Sequence, residues 1–466
     1  MKKYGKKLIG DKAFYKMALM VAVPIMVQNG ITNFVSLLDN VMVGRVGTEQ
    51  MSGVAIVNQL MFVFNISVFG AVSGAGIFGA QFWGYGKQEG VRHTFRFKWI
   101  VTMILVIGGG LLFAFGGEKL ILLYLHGEGN EAQLEETLQY AREYLAVMLA
   151  GLLPFGISQV YTSTMRECGE TMIPMKAGVL AVFVNMALNY VLIFGKFGIR
   201  PMGVTGAAIA TVVSRYVEAA VVIVWLHRHH ERHTYIKGVY RSLYIPGNLA
   251  GKILVKGAPL MVNEILWSTG MATLMQSYSV RGLDAVAGLN ISSMISNVFN
   301  VVYLAMGSAV AIIIGQLLGA GKMEEARDTA VKLIAFSVTV CIGIGAVLAV
   351  AAPLFPMAYN TTDIVRALAT RLIRVTALFM PMNAFINCAY FTLRSGGRTV
   401  ITFLFDSVFM WVASIPLAYV LSRCTSLPIV PLYFACQAVE VLKTVIGFIL
   451  LKKGIWVRNI VKEDEI

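Results

Sequence analysis

Charged side chains are scarce in this 466-residue chain, where Asp, Glu, Lys and Arg together make up 14%, against about 25% in a soluble domain. With 57% hydrophobic residues, a water-soluble fold would lack the polar surface to clothe itself. Mean hydropathy is +0.71, and apolar runs of about 20 or more residues recur from end to end, which places the chain in a bilayer as a polytopic helical protein. Cysteine is also sparse. Cys168, Cys341, Cys388, Cys424 and Cys436 form no CxxC and leave an odd count, so no disulfide framework or thiolate metal site is implied, and they read as small apolar filler. No HExxH, G-x-S-x-G or Walker A pattern is present, so nothing points to a zinc or serine hydrolase or to transport powered by ATP from this chain. The start MKKYGKK runs into an apolar stretch too long for a leader core, without a small-residue cleavage site, so no cleavable leader is expected.

What charge there is has a pattern. The formal net charge is +14, a sign that would suit nucleic acid, but the positions of the charges exclude that partner. Most Lys and Arg lie in the N-terminal segment, in the loops after even-numbered apolar spans, and in the tail LKKGIWVRNIVK. That alternation is the positive-inside signature, and it predicts both termini on the cytoplasmic side.

Twelve spans are expected, at roughly 14–44, 51–80, 97–124, 138–161, 171–195, 203–228, 252–280, 285–318, 330–358, 364–393, 399–422 and 428–451. The one long hydrophilic connection, His227 to Asn248, divides them six and six. This gives an N-terminal lobe at 1–229, a cytoplasmic linker at 230–250 and a C-terminal lobe at 251–466. The halves repeat one another: Pro24 falls on Pro259, Gly53 on Gly288, Gln81 on Gln316, Gly84 on Gly319 and Lys87 on Lys322, all at an offset of 235. Further on, Arg166-Glu-Cys-Gly-Glu-Thr171 meets Arg394-Ser-Gly-Gly-Arg-Thr399, because the acidic loop near 125–136 has no counterpart in the second half. The expected fold is therefore an all-α polytopic membrane protein. Its 12 transmembrane helices form two six-helix bundles related by a pseudo-two-fold axis along the membrane normal. A cleft between two rocking bundles favours a transporter over a channel or a membrane enzyme. The paired loops FWGYGKQEGVRHT and LLGAGKMEEARDT read as tight turns feeding surface helices, without chemistry of their own.

Five carboxylates lie well inside apolar spans: Asp39, Glu218, Glu264, Asp406 and Glu440. An ionisable group there costs roughly 2.5–3.5 kcal/mol on insertion scales and is a functional candidate by default. Glu218 follows Arg215 by one helical turn and Glu440 precedes Lys443 by one, so each reads as a structural ion pair. Asp39, Glu264 and Asp406 have no cation within a turn. Asp39 closes the first span, in which Pro24 removes a backbone donor and predicts a bend. Counted from Tyr15, a straight helix would carry Asp39 about 36 Å, near the outer headgroups, while tilt and the bend would draw it inward. Asn185 and Asn189 share one helix face in span five, and Thr211 adds a hydroxyl in span six. Packing between helices would account for these groups. With Asp39 they would also make an oxygen set suited to Na⁺, or a site for a proton. Glu264, just past Pro259, and Asp406 in span eleven are second-lobe candidates for a cation or a cationic substrate. His227, His229, His230 and His233 lie among Arg228, Glu231 and Arg232 in the linker and read as a solvated basic connector rather than a metal site.

The spacing of Pro24 and Asp39, Asp39-Asn-Val-Met-Val-Gly44, GAQFWGYGK, RECGETMIP, Asn185 with Asn189, and the six-plus-six repeat together resemble the multidrug and toxic compound extrusion (MATE) family over nearly the whole chain. The resemblance implies export of organic cations and other drugs against inward Na⁺ or H⁺. Asp39 would be the coupling carboxylate, and Pro24 would stand at a bend that changes during the cycle. Asn at position 189, where some members carry Asp, and Glu264 both match the NorM-type branch. Span ten offers only Asn383 and Asn387 where those relatives place an Asp, so the resemblance locates the cation in the first lobe. The expected protein is not an enzyme and needs no cofactor beyond the coupling ion. It works as a monomer in the lipid bilayer and takes small amphipathic, often cationic drugs, for which its 24 Met and its aromatic residues would make an adaptable apolar surface. A lipid-linked oligosaccharide flippase of the related superfamily is the alternative, although intramembrane Lys and Arg are few. A membrane-embedded transferase would need a polar catalytic cluster at one face, and none is visible.

Overall fold

A computed structural model of the chain describes residues 8–125, 131–359 and 361–462, with only the backbone described at 35–38, 40 and 41. The start MKKYGKK, the centre of the acidic loop and the last four residues lie outside the described residues. A chain in hydrocarbon must satisfy its backbone internally, and among the described residues the regular structure is helical throughout. The long helices are α1 Lys12–Gly44, α2 Thr48–Tyr85, α3 Gln88–Tyr124, α4 Glu131–Glu167, α5 Met172–Phe194 and α6 Gly203–Arg228, followed by α7 Gly247–Ser279, α8 Leu283–Gly319, α9 Met323–Ala351, α10 Asp363–Ser395, α11 Thr399–Cys424 and α12 Ile429–Lys453. Eleven of them are, among the described residues, long and apolar enough to cross a membrane. The exception, α7, has the length, but Lys252, Lys256 and Glu264 make it more polar. Several helices start or end well beyond the sequence-drawn spans, α4 by about two turns at its start. The chain is an all-α polytopic membrane protein.

Local chemistry fixes where helices end or loosen. Thr362 caps α10 by accepting from the Val365 N–H. Gly195 ends α5 with φ +67°, and a side chain there would run into Pro201. Pro24, Pro154, Pro259 and Pro381 sit inside α1, α4, α7 and α10, each leaving one carbonyl without its helical donor. In α11 the residues 404–408 and 410–414 open into π-helical turns, a departure that is frequent at functional sites.

The chain divides into two compact units. One comprises α1 up to Met26, Ala80–Gly86 and everything from Leu254 onward; the other comprises Val27–Gly79 and Lys87–Ile253. The division through α1 falls just past Pro24. In the first unit, Ala18 and Ala22 pack with Met306, Ala309, Ile313 and Leu318 of α8 and with Leu333 of α9. Within that unit Gly319 of α8 lies so close to the Gln81 backbone that no side chain could fit there. Gln81 also accepts from the Ile460 N–H at 2.8 Å and donates to the Ser395 carbonyl at 2.9 Å, which ties the tail to the bundle. In the second unit, Val57, Phe64, Val68, Phe113, Leu145 and Leu152 form the core shared by α2, α3 and α4.

The connector departs from expectation. His227, His229 and His230 are exposed, but His233, Tyr235, Ile236 and Val239 are 3% exposed or less. Two short 3₁₀ turns, Thr234–Ile236 and Val239–Arg241, fold this stretch back onto α3 and α4. Arg92 donates to the Thr234 and Tyr235 carbonyls, and Arg96 to those of Val239, Gly238 and Tyr244, at 2.9–3.4 Å. The Tyr161 and Tyr240 hydroxyls meet at 2.6 Å. The reason is that VRHTFRF supplies two guanidinium forks one helical turn apart, each able to satisfy several carbonyls that a coil would otherwise leave to water.

Candidate functional site

The second unit holds the first-lobe candidates together. Asn189 of α5, 1% exposed, donates from Nδ2 to Asp39 Oδ1 of α1 at 2.6 Å and to Asn185 Oδ1 at 3.1 Å. Asn185, 5% exposed, faces Thr211 of α6 at 3.3 Å, and the Thr211 hydroxyl donates to the Ala207 carbonyl at 3.0 Å. The four groups expected from the sequence thus form one continuous polar chain on three helices. Asp39 is half-buried rather than bathed in open solvent.

The amide of Asn185 shows what this chain can accept. With its oxygen towards Asp39, that oxygen lies 3.0 and 3.3 Å from the two carboxylate oxygens, acceptor beside acceptor, with the Asn189 amide nitrogen donating to Asn185 Oδ1 and Asp39 Oδ1 alike. With the amide turned over, its nitrogen can donate to Asp39 but faces the Asn189 nitrogen at 3.1 Å, donor against donor. Each orientation leaves one conflict in a buried setting, where an unmatched polar contact costs about 1–3 kcal/mol. A proton or a small cation shared by Asp39 and Asn185 removes it, and an all-oxygen donor set is the chemistry a hard monovalent ion prefers.

Other members of the setting were not apparent from the sequence. The Tyr144 hydroxyl of α4, itself buried, lies near Thr211 and Asp39 and donates to Asn58 Oδ1 at 3.4 Å. Arg215, within electrostatic reach of Asp39, pairs with Glu218 at 3.2 Å as the one-turn spacing predicts. Gln28 Oε1 accepts from Arg166 Nη2. Nearer the connector, Lys98 is fully buried, with its ammonium 2.6 Å from both oxygens of Glu167 and its other protons on Ser163 and Thr164. Only the pattern of Lys98 and Glu167 at the ends of two apolar stretches hinted at it.

The second-lobe candidates lie in the first unit, and here the expectation needs correction. Asp406 has no cation within a turn on its own helix, but Lys443 of α12 reaches it at 2.7 Å. The pair of Lys443 with Glu440 expected from the sequence is present at the longer distance of 3.7 Å, so one ammonium serves both carboxylates. Periodicity along one helix cannot see a partner supplied by another. Glu264 of α7 makes no hydrogen bond or ion pair among the described residues, although Arg394 and Asp406 act on it electrostatically. Asn387 Oδ1 of α10 is buried without a hydrogen-bond partner among the described residues.

Comparison with known proteins bears on what this architecture is for. The MatE family model matches residues 24–191 and 259–420, one segment in each repeat. The probable multidrug resistance protein NorM of Thermotoga maritima is 26% identical over 458 residues, covering 97% of this chain and 95% of the relative. The multidrug resistance protein MdtK of Edwardsiella ictaluri is 22% identical over 412 residues, 87% of each. Among solved structures, a MATE in complex with MaD3S superposes with a TM-score of 0.85 at 21% identity, covering 96% of this chain and 97% of its own. An outward-facing multidrug resistance MATE family transporter of the MOP superfamily gives 0.83 at 21%, covering 96% and 97%. With both repeats matched and relatives aligned along almost its full length, the chain belongs to the MatE family.

Proposed function

We propose that this protein exports small amphipathic, often cationic drugs from the cytoplasm by antiport against an inward monovalent cation, Na⁺ or H⁺. The observation that carries the coupling assignment is the half-buried Asp39 carboxylate held by Asn189 and opposed by the Asn185 oxygen, a polar chain that an ion or a proton completes. The multidrug resistance names of the relatives support the substrate class. In this reading the cation enters at Asp39 from outside and favours the state that releases drug, and its departure inside lets drug load again. Coupling needs only that drug and cation bind different states unequally, because a ligand with equal affinity for both shifts nothing. Pro24 supplies the backbone break at which α1 changes shape. The chain acts as a monomer in the plasma membrane with both termini cytoplasmic, without a cofactor and without catalysis.

The experiment is drug-dye transport in proteoliposomes under separately imposed Na⁺ and pH gradients, for the native chain and Asp39→Asn. One gradient should drive uptake by the native protein, and the variant should fall to the level of protein-free vesicles. Undiminished transport by Asp39→Asn would remove Asp39 from coupling. Absence of dye transport under any gradient would favour a lipid-linked substrate instead.

A further inference from the structure

Three helices of the first unit bury a charge cluster that coupling at Asp39 does not use. Lys443 is 5% exposed, and its ammonium lies 2.7 Å from Asp406 and 3.7 Å from Glu440. The rings of Phe405 and Phe409 face it at 5.5 and 5.9 Å, a cation–π enclosure. Each carboxylate is held in turn: Asn263 Nδ2 donates to Asp406 Oδ2 at 3.2 Å, and the Ser414 hydroxyl donates to Glu440 at 3.1 Å. The Ser407 hydroxyl bonds Asn263 Oδ1 at 2.8 Å and fixes which way that amide points. The π-helical turns of α11 carry Asp406, Ser407 and Ser414. Tyr390, 3.5 Å from Asn263 Nδ2, with Glu264 and Arg394, completes the surroundings.

The repeat shows that this arrangement is not simply a copy of the first half. Asn263 falls on Gln28, and there the amide serves a cation, Arg166, instead of a carboxylate. In the register that sets Arg166 on Arg394, Lys443 falls on Arg215, but its one-turn acid precedes it at Glu440 where that of Arg215 follows at Glu218. A structural pair needs one anion per cation. Here one ammonium faces two carboxylates in an aromatic-walled pocket, which is the environment a bound monovalent cation would make.

We propose that the Lys443 ammonium is a built-in counter-ion that fills a monovalent-cation position formed by Asp406 and Glu440, so that this pair of carboxylates exchanges no free cation. The inference rests on the Asp39 reading for its consequence: the coupling cation bound at Asp39 has no counterpart at Asp406 and Glu440.

The test is equilibrium binding of radioactive Na⁺ to the purified chain in lipid nanodiscs at pH 8. Lys443→Gln should bind one more Na⁺ per chain than the native protein, whether the native count is zero or one. Lys443→Arg, which keeps a cation, should match the native count, and Lys443→Gln with Asp406→Asn should lose the added ion. If Lys443→Gln does not fold, Lys443→Gln with Glu440→Gln keeps the native net charge and should still gain an ion at Asp406. A folded variant of either kind with no added Na⁺ overturns the proposal, as does loss of a native ion in Asp406→Asn. Asp39→Asn separates the two readings. It should leave the ion added by Lys443→Gln in place, and its own loss of coupling is scored independently.

Discussion

Replacing Lys98 by Met would take from Glu167 the buried cation that both of its oxygens meet. The structure gives three reasons to expect a large effect. The ammonium is fully buried and bonds both carboxylate oxygens at 2.6 Å, and it also serves Ser163 and Thr164. Gly76 and Gly79 of α2 also lie against the Glu167 oxygens, closely enough that a methyl on either would collide with them. Breaking a buried pair by removing one partner costs about 3–5 kcal/mol, whereas replacing both by apolar groups is often close to neutral. Lys98→Met should therefore lower the thermal unfolding midpoint in detergent or nanodiscs by many degrees, and Glu167→Gln should also destabilise. The double variant Lys98→Met with Glu167→Leu should recover most of the loss, giving a large coupling energy in a double-mutant cycle. Unfolding at the native temperature by Lys98→Met alone, or strictly additive single effects, would refute the argument.

Asn189→Ala removes a charge-assisted hydrogen bond to Asp39, worth about 1.5–3 kcal/mol; the cation concentration for half-maximal transport should move by about tenfold or more, and an unchanged value would detach Asn189 from the site. Thr211→Val, which reaches Asp39 only through Asn185, should have a smaller effect in the same assay. Arg96→Ala frees three connector carbonyls, so limited proteolysis at 238–244 should become several-fold faster while helix content stays constant. His233 supplies a pH test. Burial first, and then the charges of Arg232 and His229, depress its pKa to about 4 from the ordinary 6.5, so the unfolded connector binds the proton first. The stabilising contribution is present in full above pH 6.5 and is lost as pH falls from 6.5 towards 4. Amide exchange across 233–241 should accelerate over that window, and His233→Phe should flatten the dependence.

Much of this protein can be read along one dimension. Scarce charge, long apolar runs and the register of Pro24 with Pro259 and Gln81 with Gln316 require a doubled bundle of helices, because hydrocarbon offers the backbone no other partner. A lone carboxylate at Asp39, and amides one turn apart at Asn185 and Asn189, stand out for the same reason. Spacing along a helix also finds Arg215 with Glu218, since those residues share a face. It cannot find a partner on another helix. Lys443 prefers Asp406 to its near neighbour Glu440, Lys98 reaches Glu167, Tyr144 stands beside Thr211, and Arg92 and Arg96 pull a polar connector out of water. Each of these was decided only by which helices pack together. An ion pair or hydrogen bond depends on separation in space, and in a bundle of long helices that separation bears little relation to distance along the chain.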